Sequence, residues 1–201
     1  MSAANAYISL ARTLSEMERF DEALDKLHEF EKCIDRHGKN NCDKQVLIDY
    51  YDTLLSIHTE LGEICEEQGQ DEERTAHLNE ALKACEQLKA ISEKNNDTDS
   101  VIGLLLDIGA LYRDLNNMKA AADNYQQAIE LIKQTSSTFG NQATVYNEAS
   151  HILFDLKEYK TALEYAKQGL TLLQSTPNDS ATSTIISKHQ QFIQKIEEKL
   201  S

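Results

Sequence analysis

The side chains in this 201-residue sequence best suited to metal chemistry lie near its start, where His28, Cys33, His37 and Cys42 stand within fifteen residues. Soft ligands at that density raise the question of zinc, which asks for a tetrahedral set and often finds it in closely paired cysteines. Cys33 and His37 are four apart and share a helical face, but His28 falls about 140° around a helix from Cys33 at ~100° per residue. The spacing signature of a zinc site is missing, so no metal and no cofactor is expected.

Catalysis has as little to work with. The sequence holds no glycine-rich phosphate loop, no G-x-S-x-G and no H-E-x-x-H. Carboxylates are plentiful, 34 Asp and Glu against 20 Lys and Arg for a net charge of −14. On acidic helices such groups form solvated faces, and none is set apart as a catalytic acid or base. The expectation is a protein that is not an enzyme. The same balance argues against nucleic acid, whose phosphates require Lys and Arg.

Helices must position those carboxylates. One proline and seven glycines in the whole chain leave little room for turn-rich β architecture. Residues 105–128 show the plan most clearly. Leu105, Ile108, Gly109 and Tyr112 share one helical face, as do Ala121, Tyr125 and Ala128, because residues three and four apart stack on the same side. Asn116-Asn117 between them supplies a turn and a cap. The spacing predicts two antiparallel helices, brought close by the small residues at 109, 121 and 128. The same offsets return three times. Ala11 is flanked by Tyr7, Leu10, Leu14, Ala23, Leu27 and Phe30. Gly62 has His58, Leu61, Cys65, Leu78 and Ala81, and Ser150 has Tyr146, Ala149, Leu153, Ala162, Ala166 and Gly169.

This pattern of small and aromatic residues on paired helices resembles the tetratricopeptide repeat (TPR) family. The resemblance implies an all-α fold, a right-handed α-solenoid of about four TPR-like hairpins near 3–37, 43–94, 99–135 and 141–174, in a single domain over 1–201. Three departures stand out. Arg74 takes the place of Ala23, Ala121 and Ala162, Phe30 fills a small-residue position, and no copy ends in the family's proline. Anchors at 11, 62, 109 and 150 recur at intervals of 51, 47 and 41 residues against a family period of about 34, so longer helices or loops are expected. Loops are predicted at 37–41, 94–100, 135–138 and 175–179, with Gly38 a helix stop. A last helix over about 179–200 carries Ile185, Ile186, His189, Phe192, Ile193, Ile196 and Leu200 at helical spacing. It suits a cap on the final hairpin, with Lys188, Gln191, Lys195, Glu198 and Lys199 to water. A segment folded back as its own ligand, or one docking a second chain, would carry the same stripe.

In the family, the opposite face of each hairpin's first helix lines a concave groove that holds a partner peptide. Here those positions are Ile8, Ser9, Arg12, Ser15 and Glu16; Thr59, Glu60, Glu63, Glu66 and Glu67; Leu106, Asp107, Ala110, Arg113 and Asp114; and Asn147, Glu148, His151, Phe154 and Asp155. Nine acids face two arginines, a more acidic mixture than the chain at large. The resemblance therefore implies a protein-binding adaptor for a basic or amphipathic segment, with Ile8, Leu106 and Phe154 as apolar anchors. The family's chaperone-binding members clamp a terminal carboxylate with Lys, Asn and Arg, and the Glu and Asp here argue against that ligand. Two alternatives stay open: a structural subunit that buries the solenoid's edges in a stable complex, and a regulatory protein acting on a signalling partner. No apolar run approaches the ~20 residues that span a bilayer, and the start MSAANAYISLART lacks the build of a secretory signal. Cys65 and Cys85 fall on predicted buried faces, as thiols do in a reducing compartment. A cytoplasmic or nuclear location is expected.

Overall fold

Long runs of helix-forming residues, broken only at short polar links, fold into nine helices and no strand among the residues described. The structure is a computed structural model and describes residues 2–37, 42–135, 140–175 and 180–201, without the side chains of 2–4, 36–37 and 180–182. The predicted stop at Gly38 and most of the loops expected at 37–41, 135–138 and 175–179 lie outside the described residues. In chain order the helices are α1 (Ser2–Glu16), α2 (Phe20–His37), α3 (Lys44–Gln68), α4 (Asp71–Lys94), α5 (Thr98–Asp114), α6 (Met118–Thr135), α7 (Gln142–Asp155), α8 (Tyr159–Gln174) and α9 (Ser180–Leu200). The long intervals between anchors are absorbed largely by α3 and α4, of 25 and 24 residues.

Each hairpin turns in the same way. Seven residues after the anchor, the chain enters the left-handed region at Glu18 (φ 59°), Gly69 (69°), Asn116 (61°) and Lys157 (64°). One residue further on, the backbone N–H of Arg19, Gln70, Asn117 and Glu158 donates back to the carbonyl of Leu14, Cys65, Tyr112 and Leu153 at 2.8–2.9 Å. That is a Schellman closure, which satisfies carbonyls that the end of a helix would leave bare. The second helix starts at once, with the N–H of Ala23, Arg74, Ala121 and Ala162 donating to the carbonyls of those same four residues. Only one of the four left-handed positions is a glycine, so a non-glycine residue carries that backbone at Glu18, Asn116 and Lys157.

The helices form two compact units, Met1–Asn95 and Asn96–Ser201. In the first, Ile8, Ala11, Leu14, Leu27, Phe30 and Ile34 of α1 and α2 meet Val46, Tyr50 and Ile57 of α3. Phe30, standing where the other copies have small residues, is fully buried with its ring 4.7 Å from that of Tyr50. The Tyr50 hydroxyl donates to Glu31. Burial, followed by that bonded carboxylate, pushes the phenol above its usual range. Arg74 is long enough to reach across to α3, where its Nη2 donates to Glu66 at 3.3 Å.

The second unit interlocks more tightly. A Cβ on Gly109 would stand 2.5 Å from Cε1 of Tyr125, so the tyrosine ring lies directly on the glycine. Tyr125 is fully buried among Ile102, Leu105, Ala121, Ala128 and Ala149. The equivalent pair in the first unit is Gly62 with Leu78, where a Cβ would meet only the tip of the leucine at 3.3 Å. α9 packs on α8 through buried His189, Ile193 and Ile196. His189 Nε2–H donates to the carbonyl of Ala166 at 3.0 Å, next to Gly169, whose missing side chain leaves room for the ring.

Candidate partner-binding faces

In the first unit α3 lies beside α1, and the two form a cleft of about 230 Å³ lined by Arg12, Ser15, Glu16, Asp52, Thr53, Ser56 and Glu60. Three of the residues expected on this face, Arg12, Glu16 and Glu60, are brought together there. Arg12 is committed within the protein: Nε donates to Thr53 Oγ1 at 2.9 Å, and Nη2 to Asp52 Oδ2 and to the Asp49 carbonyl, both at 3.3 Å. Ser56 donates to Glu60 at 3.0 Å. The remaining charge at the cleft is carboxylate, on Glu16, Asp52 and Glu60.

Two expectations for this unit change. Ile8 is no open anchor, because it sits in the core at 4% exposure. Ser15, expected on the outer face, is also buried, covered where α3 packs along α1. Glu63 and Glu67 are exposed but lie on the far half of α3, outside the cleft, while Glu66 is engaged by Arg74. The residues the sequence reading missed are Asp52, Thr53 and Ser56. They lie seven residues before Thr59, Glu60 and Glu63, two turns back on the same stripe. The signal was the length of α3, which carries that stripe past the window around Gly62.

In the second unit α5 and α7 present their acids to each other. Arg113 bridges them, donating from Nη1 to Glu148 at 2.5 Å and from Nε to Asp114 at 3.3 Å. Burial works against this charge, but Asp114 and Glu148 outweigh it and hold the guanidinium above its ordinary value. Asp107, two turns earlier on α5, still reaches solvent. Loss of water from the helix walls pushes its carboxyl up, and no cation among the described residues offsets that shift. Leu106 and Asn147 are half-buried on either side.

Beneath these groups is the Tyr125 hydroxyl. Its oxygen is shut off from solvent and has no hydrogen-bond partner among the described residues. Burial pushes it well above the usual phenol range, and the charges acting on it, in order, are Glu148, Arg113, Asp114 and Asp107. Gly109 was read from the sequence as a packing position. It also determines where the hydroxyl of the ring lying on it emerges.

Further along α7, His151 and Phe154 are engaged by α9. The His151 ring stacks on Phe192 at 3.8 Å and 18°, and burial holds its imidazole below the usual histidine range. Phe154 is flanked by Tyr159 at 5.3 Å and Phe192 at 5.5 Å, with Lys195 Nζ 4.9 Å from its ring centre. Little of the Phe154 ring is left to serve as an apolar anchor. Asp155 next to it is exposed.

Among the described residues no group of three or more His, Cys, Asp and Glu is placed to hold a metal ion, and the side chain of His37 lies outside them. His28 Nδ1 instead faces Glu31 at 3.3 Å. Among the same residues, no helix is long and apolar enough to cross a membrane.

Comparison with known proteins agrees with this geometry. The profile of the tetratricopeptide repeat matches residues 100–175. No curated protein matches the chain by sequence. Among solved structures, a signal transduction ATPase with a tetratricopeptide repeat sensor from Pyrococcus horikoshii is similar at a TM-score of 0.65 and 20% identity, over 85% of this chain and 24% of that one. The present chain thus spans about a quarter of that protein's length. A yeast histone chaperone, described as a scaffold protein recruiting protein complexes to core histones, is similar at a TM-score of 0.65 and 14% identity over 97% of this chain and 95% of that one. A Podospora anserina protein of nearly identical TPR-like repeats gives 0.55 and 16% over 97% and 92%. Identities this low speak to the fold. Residues 100–175 match the tetratricopeptide repeat family directly, and one turn register is kept through all four hairpins.

Proposed function

We propose that the protein is a non-catalytic adaptor that holds a basic or amphipathic segment of another protein against the acidic faces of its first helices. One observation carries this reading. The two cations on those faces, Arg12 and Arg113, are already bonded to neighbouring acids, which leaves Glu16 and Glu60 in one unit and Asp107 and Asp155 in the other to set the field. A field of one sign in a partly enclosed face draws in charges of the other sign and orients them. The yeast histone chaperone, described as a recruiting scaffold, has the same fold in work of this general kind. The buried thiols Cys65 and Cys85 support a reducing compartment, cytoplasm or nucleus, as the site of action.

A labelled hexalysine peptide tests the reading by fluorescence anisotropy. It should bind the full chain, weaken as salt rises from about 50 to about 300 mM, and weaken again in the double variant Glu16→Lys with Glu60→Lys. Equal binding of a hexaglutamate peptide, or affinity that salt does not change, would overturn it. A second reading has one observation in its favour. Leu10 on α1 and Met17 in the turn that follows it are 45% and 57% exposed, apolar surface of the kind that a stable assembly buries. Association through that surface would be insensitive to salt.

A further inference from the structure

The cleft between α1 and α3 has room for one guest and carries an excess of acceptors. Its volume of about 230 Å³ falls short of the roughly 300–1,000 Å³ of pockets for drug-sized ligands, so it suits one long side chain. Arg12 on its walls stands against three carboxylates, Glu16, Asp52 and Glu60. Ser15 adds a separate observation. It lines the same cleft at 8% exposure, and among the described residues its hydroxyl has no hydrogen-bond partner. The neighbouring hydroxyls are all committed: Thr13 donates to the Ser9 carbonyl, Thr53 to the Asp49 carbonyl and Ser56 to Glu60. An enclosed polar group costs free energy unless something pairs with it. We infer that this cleft is the subsite for one arginine side chain of the partner, its guanidinium set between Glu16 of α1 and Glu60 of α3 and donating also to the Ser15 hydroxyl. This rests on the acidic-face reading above and names the group that the face recognises.

The bond from Arg12 to Thr53 sets the register of the two helices. One turn further along stand Glu16 and Ser56, and Glu60 follows a turn beyond, so the remaining acceptors lie on both walls. A planar guanidinium with five N–H donors spans such a set, whereas an ammonium is a compact point charge. The guanidinium is also the more weakly hydrated of the two, so it gives up less on entering a partly enclosed space. Arg12 provides the precedent within the chain. From α1 it bonds Thr53, Asp52 and the Asp49 carbonyl, all on α3, and so shows that a guanidinium fits between these helices.

The test uses the full chain and fluorescence anisotropy, with hexaarginine, hexalysine and hexaarginine asymmetrically dimethylated at every residue as probes. Hexaarginine should bind more tightly than hexalysine. Dimethylation keeps the charge but blocks the paired hydrogen bonds, and should remove that advantage. Glu16→Gln and Glu60→Gln should each weaken hexaarginine binding about tenfold, and Ser15→Ala about threefold, the ranges for charged and neutral hydrogen-bond partners. Ser15→Ala should leave hexalysine binding within twofold. Glu86→Gln, an equal change of charge at an exposed position on α4, should alter hexaarginine binding less than twofold. If all three glutamine variants act equally and Ser15→Ala does nothing, while both peptides still bind in a salt-dependent way, the subsite is wrong and the acidic-face reading survives. Hexalysine or the dimethylated peptide binding as tightly as hexaarginine would overturn the assignment to a guanidinium. Failure of every peptide to bind removes both readings.

Discussion

The two units meet one packing requirement with different chemistry. At the close approach between paired helices the second unit sets a tyrosine ring on Gly109, while the first sets the tip of Leu78 near Gly62. The backbone does not register the difference: the left-handed residue, the Schellman bond and the start of the second helix fall at the same offsets in all four hairpins. The family profile does register it, matching 100–175 and not the first unit. Turn geometry and a small-to-large fit therefore suffice for the hairpin, and the aromatic pattern is one way to fill it. Where aromatics moved, so did the contacts, as in Phe30, which meets Tyr50 of α3.

The sharpest way to break this comparison is to add one methyl group at each glycine. Gly109→Ala drives a Cβ into a fully buried ring and should cost about 2 kcal/mol, within the usual range for overpacking. Gly62→Ala meets a flexible leucine tip and removes a helix-weakening glycine, so it should be neutral or add up to about 1 kcal/mol. Urea unfolding of both variants checks the opposite signs. Equal losses would mean that the units are packed alike.

The tyrosines give the next contrast. Tyr50→Phe removes a hydroxyl bonded to Glu31 and should cost about 1 kcal/mol, whereas Tyr125→Phe removes one that has no partner and should cost nothing or stabilise slightly. Thermal midpoints measured side by side decide it. Smaller still are the turns. Glu18→Gly and Lys157→Gly, one in each unit, relieve non-glycine residues at positive φ and should each gain about 0.5–1 kcal/mol. A gain in only one unit would show that the shared turn is not equally strained.

Acidity should affect both units in the same direction. Burial holds His58 in the first unit, and His151 and His189 in the second, below the usual histidine range; His77 adds to the effect at His58. The unfolded chain therefore takes up protons first as pH falls. The contribution to stability is whole above the ordinary histidine pKa of about 6.5 and declines as pH drops below it toward the folded values. A urea midpoint that is higher at acid pH than at neutral pH would contradict this.

The hairpins were legible in the sequence because small residues at fixed offsets leave a periodic trace, strongest where Gly109, Tyr112, Ala121 and Tyr125 coincide. The face used for binding was less so. A helical wheel drawn around each anchor cannot tell that α3 lies along α1, and this neighbour buries Ile8 and brings Asp52, Thr53 and Ser56 into the cleft. Nor can it show that α9 would place Phe192 and Lys195 against His151 and Phe154. Those facts depend on contacts between helices distant in sequence, and local periodicity carries no record of them. The pairing of Arg12 and Arg113 with their neighbours was hidden for the same reason.

Where a basic segment docks can be mapped by titrating the isotope-labelled full chain with hexalysine and following backbone amide shifts. The account predicts that the changes concentrate on α1 with α3 and on α5 with α7, around Arg12, Glu60, Asp107 and Glu148, and fade as salt is added. Shifts centred on the second helices α2, α4, α6 and α8, or spread evenly over the acidic surface, would contradict it.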